Sequence, residues 1–128
     1  MKPETDFYNS GKGDCLVNSR NYPPEIKSYL QSEKEVLKLL SNKLKGIVEV
    51  GCMNGRYVEW ALAEEKLYYG IDIIERYIEA GLKRLKKSGI HLSRVNLQVW
   101  SANSIHEFVI QERLSQVLLF FLLIVLVI

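Results

Sequence analysis

Apolar residues along the chain alternate between short continuous runs and helical spacings, and this alternation predicts the order of the elements. Continuous apolar runs predict buried strands of a parallel sheet that is covered on both faces. Each run is followed by a segment of helical spacing, which predicts right-handed crossovers and an α/β fold. The predicted strands are residues 47–50, 67–73 and 95–100, and the predicted helices are residues 54–62, 74–85 and 105–109.

The segment ahead of the first strand divides into an arm and a helix. Residues 1–22 are rich in Asn, Ser, Gly and Tyr and have no clear period, so we predict an irregular N-terminal arm or lid. The pair Pro23-Pro24 begins a helix, because proline is tolerated in a first helical turn. This capping helix is expected to run to Gly46 and to open a domain of residues 23–128. Its predicted buried stripe is Ile26, Leu30, Glu33, Leu37, Leu40 and Leu44.

The last stretch, residues 117–128, is apolar at every position. A helix needs about 20 residues to cross a bilayer, so this run is too short for one. Its length and its β-branched residues favour a fourth buried strand. An interfacial or tail-anchor segment, and a run that is not a selected sequence, stay open as alternatives.

Composition bounds the class of protein. The 128 residues with 48% apolar content suit one domain with a modest core. Seventeen basic and fifteen acidic residues leave a formal net charge of +2, which is too weak to argue for a nucleic-acid or anionic-membrane partner, and we expect neither. The two cysteines, Cys15 and Cys52, have no metal-ligand spacing, and the polar N-terminus has no signal-peptide core. We therefore expect a cytoplasmic protein without a metal site.

Residues 46–57 carry most of the functional information, because a strand there runs into a glycine turn and then a helix. Glu49 lies inside the strand, Gly51 and Gly55 lie in the turn, and Asp72 follows the second strand. A glycine turn lets the backbone approach a ligand, and an acid on the neighbouring strand end can bind a sugar hydroxyl. The pattern predicts a nucleoside-binding crevice.

The sequence Glu49-Val-Gly-Cys-Met-Asn-Gly55 resembles the first motif of class I S-adenosylmethionine-dependent methyltransferases. The acid in Gly-Ile-Asp72-Ile and Asn103 after the third strand extend the resemblance over roughly residues 20–120. It implies a Rossmann-like three-layer sandwich in which the turn receives the methionine end, Asp72 the ribose and Asn103 the adenine. The implied residues that bind the S-adenosylmethionine cofactor are Glu49, Gly51, Cys52, Gly55, Asp72, Ile73 and Asn103.

Several positions have alternative interpretations. Met53 stands where the family has its central glycine, and a dinucleotide-binding Gly-x-Gly-x-x-Gly pattern would need glycines at Met53 and Arg56. The glycines could form an ordinary tight turn. Glu49 could be satisfied by neighbouring backbone N–H groups, and Asp72 could cap the following helix.

The family recognises its methyl acceptor largely through segments after the fourth strand. The apolar run after residue 120 lacks the expected polar or aromatic loop, so the resemblance names no catalytic residue and no acceptor. We expect a truncated product that keeps about four strands and the cofactor-binding half. Its last strand would present an open edge for self-association, and a non-catalytic interaction module is the alternative function.

Overall fold

The computed structural model describes residues 3–12, 14 and 19–121, and four parallel strands form its centre. The strands are β1, Gly46–Val50; β2, Leu67–Asp72; β3, Val95–Val99; and β4, Val117–Phe121. Their order in the sheet is β3-β2-β1-β4, and every pairing is parallel. Strand β1 is buried at all five positions, because it lies between β2 and β4 and has helices over both faces.

The described helices connect the strands in sequence order. They are α1, Pro3–Asn9; α2, Pro24–Leu40; α3, Val58–Ala63; α4, Glu75–Lys87; and α5, Ile105–Gln111. Short 3-10 turns occupy Ser19–Asn21, Leu92–Arg94 and Ala102–Ser104. In the described part of the chain, no helix has the length and apolar content that a membrane span requires.

Helices cover both faces of the sheet. Ile47, Tyr68 and Leu97 face one side, where they form a core with apolar residues of α2, α3 and α4. Val48 and Ile71 face the other side, where Phe108 of α5 completes a second core. The structure is therefore a three-layer α/β sandwich with a Rossmann-like parallel sheet, as the sequence pattern predicted.

The helix ahead of the sheet ends earlier than its apolar stripe predicted. Pro23 and Pro24 begin α2 as expected, and Leu30, Glu33 and Leu37 are buried. The helix stops at Leu40, which is 61% exposed, so the extension to Gly46 was wrong. Lys66 explains the difference, because its ammonium group donates to the carbonyl oxygens of Ser41 and Leu44 at 2.6 and 2.7 Å. These bonds stabilise a turn where another helical turn was expected.

Other boundaries also differ from the pattern. Helix α3 begins at Val58, because Gly51, Met53 and Gly55 have positive φ angles and hold residues 51–57 in turns. Within the predicted irregular arm, residues 3–9 form α1. The fourth strand is confirmed for Val117–Phe121, and the rest of the apolar run, residues 122–128, lies outside the described residues.

Candidate functional site

A crevice of about 310 Å³ lies at the carboxyl ends of the strands. In open parallel sheets this is where ligands bind, beside the point at which the strand order reverses. The crevice brings together four of the predicted residues, from three different strand ends: Gly51, Asp72, Ile73 and Asn103. Its remaining lining comes from Val50, Ile71, Trp100, Ser101, Ala102 and Phe121.

The glycine turn after β1 is held against β2 by backbone hydrogen bonds. The N–H groups of Gly51 and Cys52 both donate to the Ile71 carbonyl, at 2.9 and 3.1 Å. Gly51 has φ +78°, and a Cβ built there would meet no atom within 4 Å. The backbone at Gly51 therefore borders open space, and a side chain would project into it.

Gly55 has the same φ of +78° but a different environment. A Cβ at this position would lie 2.9 Å from Cγ2 of Val58 and 3.4 Å from both methyl groups of Leu97. Gly55 is buried and faces the core instead of the crevice. Its role in the structure is to let the turn pack against the helix that follows.

Met53 adopts a left-handed conformation with φ +55°. A residue with a Cβ costs roughly 1–2 kcal/mol in this region. The structure offsets part of that cost, because the Met53 N–H donates to Oδ2 of Asp72 at 2.8 Å. Met53 thus has the positive φ that a glycine would readily adopt.

Asp72 joins two turns with one carboxylate. Its Oδ1 accepts the N–H of Ile74 at 2.9 Å, while Oδ2 accepts that of Met53. Burial raises the pKa of Asp72, and these N–H donors oppose the rise. The alternative that Asp72 caps the following helix holds only in part. Asp72 accepts the N–H of Ile74, but α4 begins at Glu75 and its N-cap is Ile74. A carboxylate offers about four lone pairs, so acceptor capacity remains for a ligand.

Glu49 is fully buried on the face of the sheet that α2, α3 and α4 cover, and it does not line the crevice. The Tyr68 hydroxyl donates to its Oε1 at 2.5 Å, and Nε of Arg56 lies 3.8 Å from its Oε2. Desolvation raises the pKa of Glu49 to about 7, against the lowering effects of Arg56 and of the Tyr68 hydrogen bond. Among the described residues, the partners of Glu49 are therefore the side chains of Tyr68 and Arg56. The alternative prediction had been that neighbouring backbone N–H groups satisfy Glu49.

Cys52 lies beside Glu49, also outside the crevice lining. Its thiol is fully buried, and burial followed by the negative charges of Glu49 and Asp72 raises its pKa well above the usual value. Gly70 pairs with Glu49 across the sheet and leaves room for the sulfur. A Cβ at Gly70 would lie only 2.8 Å from Cys52 Sγ. Of the seven predicted residues, Glu49, Cys52 and Gly55 thus form the support behind the crevice.

Sequence reasoning missed the partners of Glu49 and part of the crevice wall. Tyr68 was detectable in principle, because it lies two positions before Gly70 and therefore on the face that Glu49 shares. Trp100 was also detectable, since it stands at the carboxyl end of a predicted strand, whereas Phe121 ends the observed β4 but lies inside the predicted run of residues 117–128. Arg56 had no such signal, because its side chain reaches Glu49 only through the turn conformation.

The comparisons with known proteins give no family for this chain. No protein-family model matches it, and a search of curated proteins finds no significant relative. Among residues 3–12, 14 and 19–121, no group of three or more His, Cys, Asp or Glu side chains is arranged to hold a metal ion. The crevice and its supporting side chains are therefore the basis for any functional conclusion.

Proposed function

We propose that this chain binds S-adenosylmethionine in the crevice and belongs to the methyl-transfer enzymes, as an enzyme or as its cofactor-binding half. The observation that carries the proposal is the convergence of Gly51, Asp72, Ile73 and Asn103 at one sheet edge. Gly51, Asp72 and Asn103 stand far apart in sequence, and the resemblance assigns each of these three to a different part of the same cofactor.

The residues of the crevice fit such a ligand by size and chemistry. Its volume of about 310 Å³ is at the lower end of the roughly 300–1,000 Å³ typical of small-molecule sites. Ile73 is 57% exposed and offers apolar surface to a base, while the exposed Asn103 carries both an amide donor and an acceptor. Asp72 supplies acceptors for ribose hydroxyls, and the open space at Gly51 leaves room for the methionine end.

Bound S-adenosylmethionine would supply an activated methyl group on its sulfonium. Methyl transfer is an in-line displacement, so the chain's contribution is to hold two reactants in line. Asp72 and the turn it fixes would orient the cofactor, and a protein base is needed only for an acceptor that must lose a proton. The methyl acceptor and any such base stay unassigned.

A nicotinamide-dinucleotide cofactor fits the turn less well. The dinucleotide fingerprint requires glycines where this chain has Met53 and Arg56. Arg56 is directed toward Glu49 and Tyr22, and its side chain is only 13% exposed. A side chain at this position occupies the space that a glycine would leave open for a pyrophosphate.

Calorimetry tests the proposal with three ligands and one pair of variants. S-adenosylmethionine and its demethylated product should each bind at a single site, and NAD should give no heat. Asn103→Ala should weaken both by about threefold to tenfold, the value of a lost hydrogen bond. Asn42→Ala, in the exposed turn after α2, is the matched control. An absence of heat at millimolar ligand, or tighter binding of NAD, would refute the proposal.

Self-association through the fourth strand is a second candidate function. Strand β4 pairs only with β1 among the described strands, and its Leu119 and Phe121 are 42% and 38% exposed. A strand edge with exposed apolar side chains can pair with the same edge of a second copy. Light scattering tests this directly: a concentration-dependent dimer supports it, and a monomer at high concentration contradicts it.

A cytoplasmic location is part of the proposal. It is supported by Cys52, a buried cysteine that is free in the structure, since buried free thiols fit a reducing compartment.

A further inference from the structure

Glu49 is next to the crevice in the chain without lining it. The two residues that follow it, Val50 and Gly51, both line the crevice, whereas the carboxylate of Glu49 is fully buried. A strand rises about 3.3 Å per residue, so Gly51 lies about 7 Å further along the backbone. A charge on Glu49 is therefore on the order of 10 Å from a ligand in the crevice.

The carboxylate of Glu49 is only partly compensated by its surroundings. Its Oε1 accepts the Tyr68 hydroxyl, but its Oε2 has no hydrogen-bond donor among the described residues. The cation that faces Oε2 is Arg56, whose Nε lies 3.8 Å away, too far for a hydrogen bond. Glu49 and Arg56 thus form a buried ion pair without a hydrogen bond. An ionised carboxylate in this state is stabilised by any further positive charge nearby.

The titratable side chains that face Glu49 come from α2, the glycine turn and β2. They are Glu33 of α2, Cys52 and Arg56 of the turn, and Tyr68 and Asp72 of β2. Arg56 is the base in this set, and the charges of the two acids oppose the ionisation of Glu49. On the other flank, Glu49 pairs with Phe120 of β4, which brings no charge. Burial outweighs the effect of Arg56 and raises the pKa of Glu49 to about 7, so a nearby charge changes its ionisation at neutral pH.

We propose that Glu49 gives the crevice a proton-controlled preference for the cationic form of the cofactor, an inference that rests on the proposed function. S-adenosylmethionine carries one more positive charge than its demethylated product, on the sulfonium that the resemblance places near the glycine turn. Ionised Glu49 attracts this charge, whereas protonated Glu49 does not. The crevice therefore favours S-adenosylmethionine over the product while Glu49 is ionised, and it loses this preference when Glu49 takes up a proton.

Binding of the cation and release of the proton are linked. Bound S-adenosylmethionine stabilises the ionised carboxylate, so it lowers the pKa of Glu49 below the value of about 7 in the free protein. Its affinity consequently rises as pH increases toward about 7 and is constant above that pH. Two unit charges on the order of 10 Å apart, at an effective dielectric constant of about 20, correspond to about a tenfold change in Kd.

Calorimetry with both ligands at two pH values tests the inference. The Kd of the demethylated product divided by that of S-adenosylmethionine should rise about tenfold between about pH 5.5 and about pH 7.5. Titrations at about pH 6.5 in buffers of different ionisation enthalpy count the protons that binding releases. S-adenosylmethionine should release more protons than the product, because only the cation favours ionised Glu49.

A pair of variants assigns the effect to Glu49. Glu49→Gln is neutral at every pH, so it should abolish both the pH dependence of the Kd ratio and the excess proton release. Glu35→Gln, at an exposed position of α2, removes the same charge and should leave both unchanged. If Glu49→Gln fails to fold, the proton release of the unchanged protein decides the matter.

The possible failures are distinguishable. A Kd ratio that does not vary with pH, equal proton release by the two ligands, or the same pH dependence in Glu49→Gln would overturn this inference and leave the proposed function intact. Failure of both ligands to bind at either pH would overturn the proposed function, and this inference with it.

Discussion

Oδ2 of Asp72 accepts the backbone N–H of Met53 at 2.8 Å, so the end of one strand fixes the turn that follows its neighbour. The same carboxylate accepts the N–H of Ile74 through Oδ1. The sequence suggested a ribose-binding role for Asp72, and the structure adds a structural role. One side chain holds both βα turns that border the crevice.

Asp72→Asn should lower the free energy of unfolding by about 1–3 kcal/mol, because the amide presents an NH2 group to one of the two N–H donors. Urea denaturation measures the change. Asp6→Asn is the control, since Asp6 is an exposed residue of α1. Equal stability of Asp72→Asn and the unchanged protein would show that the carboxylate does not fix the turns.

Gly70→Ala should destabilise the fold by about 1–3 kcal/mol through overpacking. The new Cβ would lie 2.8 Å from Cys52 Sγ and 2.8 Å from a methyl group of Leu97. Addition of Cys52→Ala should recover part of the loss, because it removes one of these contacts and the two changes are coupled. Strictly additive effects in a double-mutant cycle would contradict this packing.

The burial of Glu49 predicts a specific dependence of stability on pH. Its pKa is about 7 in the folded protein, against a model-peptide value of 4.5. The folded state therefore holds the proton more tightly than the unfolded state. This contribution to the free energy of unfolding is fully present below about pH 4.5 and is lost as pH rises to about 7, on the order of 3 kcal/mol in total.

Glu49→Gln should remove this part of the pH dependence, because glutamine is neutral throughout and its oxygen can still accept from Tyr68. Denaturation midpoints measured from pH 4 to pH 8 give the slope for each variant. Glu79→Gln is the control, since Glu79 is exposed on α4. A slope that Glu49→Gln leaves unchanged would mean that Glu49 is not the titrating group.

Met53→Gly should increase stability by about 1 kcal/mol or less. Relief of the left-handed strain returns roughly 1–2 kcal/mol, and the greater freedom of glycine in the unfolded chain takes back about 0.5–1. Glu65→Gly is a matched comparison, because Glu65 has φ +59° outside the glycine turn. Both should change stability alike, whereas only Met53→Gly should strengthen cofactor binding. Stronger cofactor binding in both variants, or in neither, would show that Met53 does not influence the cofactor site.

The sequence predicted the parallel sheet because its strands are buried on both faces and read as continuous apolar runs. Strand β1 is the clearest case, since all of its positions are buried. The end of α2 was not predictable from the apolar stripe. Leu40 and Leu44 continue the helical period, but the helix stops where Lys66, distant in sequence, binds the carbonyls of the turn.

The crevice was predicted only in part. Gly51, Asp72 and Asn103 follow strand ends, and parallel strands bring their carboxyl ends to one edge of the sheet. The motif does not say which face of the sheet the side chain of Glu49 occupies. In the structure, the alternation of side chains along β1 places it on the face covered by α2 to α4. Its partner Arg56 depends on the turn conformation, which carries no period in sequence.

The most direct test is a titration of the protein with S-adenosylhomocysteine, the demethylated product of S-adenosylmethionine. Backbone amide signals in NMR spectra report the binding. Binding in the crevice should shift the signals of Gly51, Ile73 and Asn103. The signals of Gly89 and Leu92 should stay fixed, because these residues precede the amino end of β3, at the opposite edge of the sheet. Shifts confined to residues outside the crevice, or no shifts at millimolar ligand, would contradict the account.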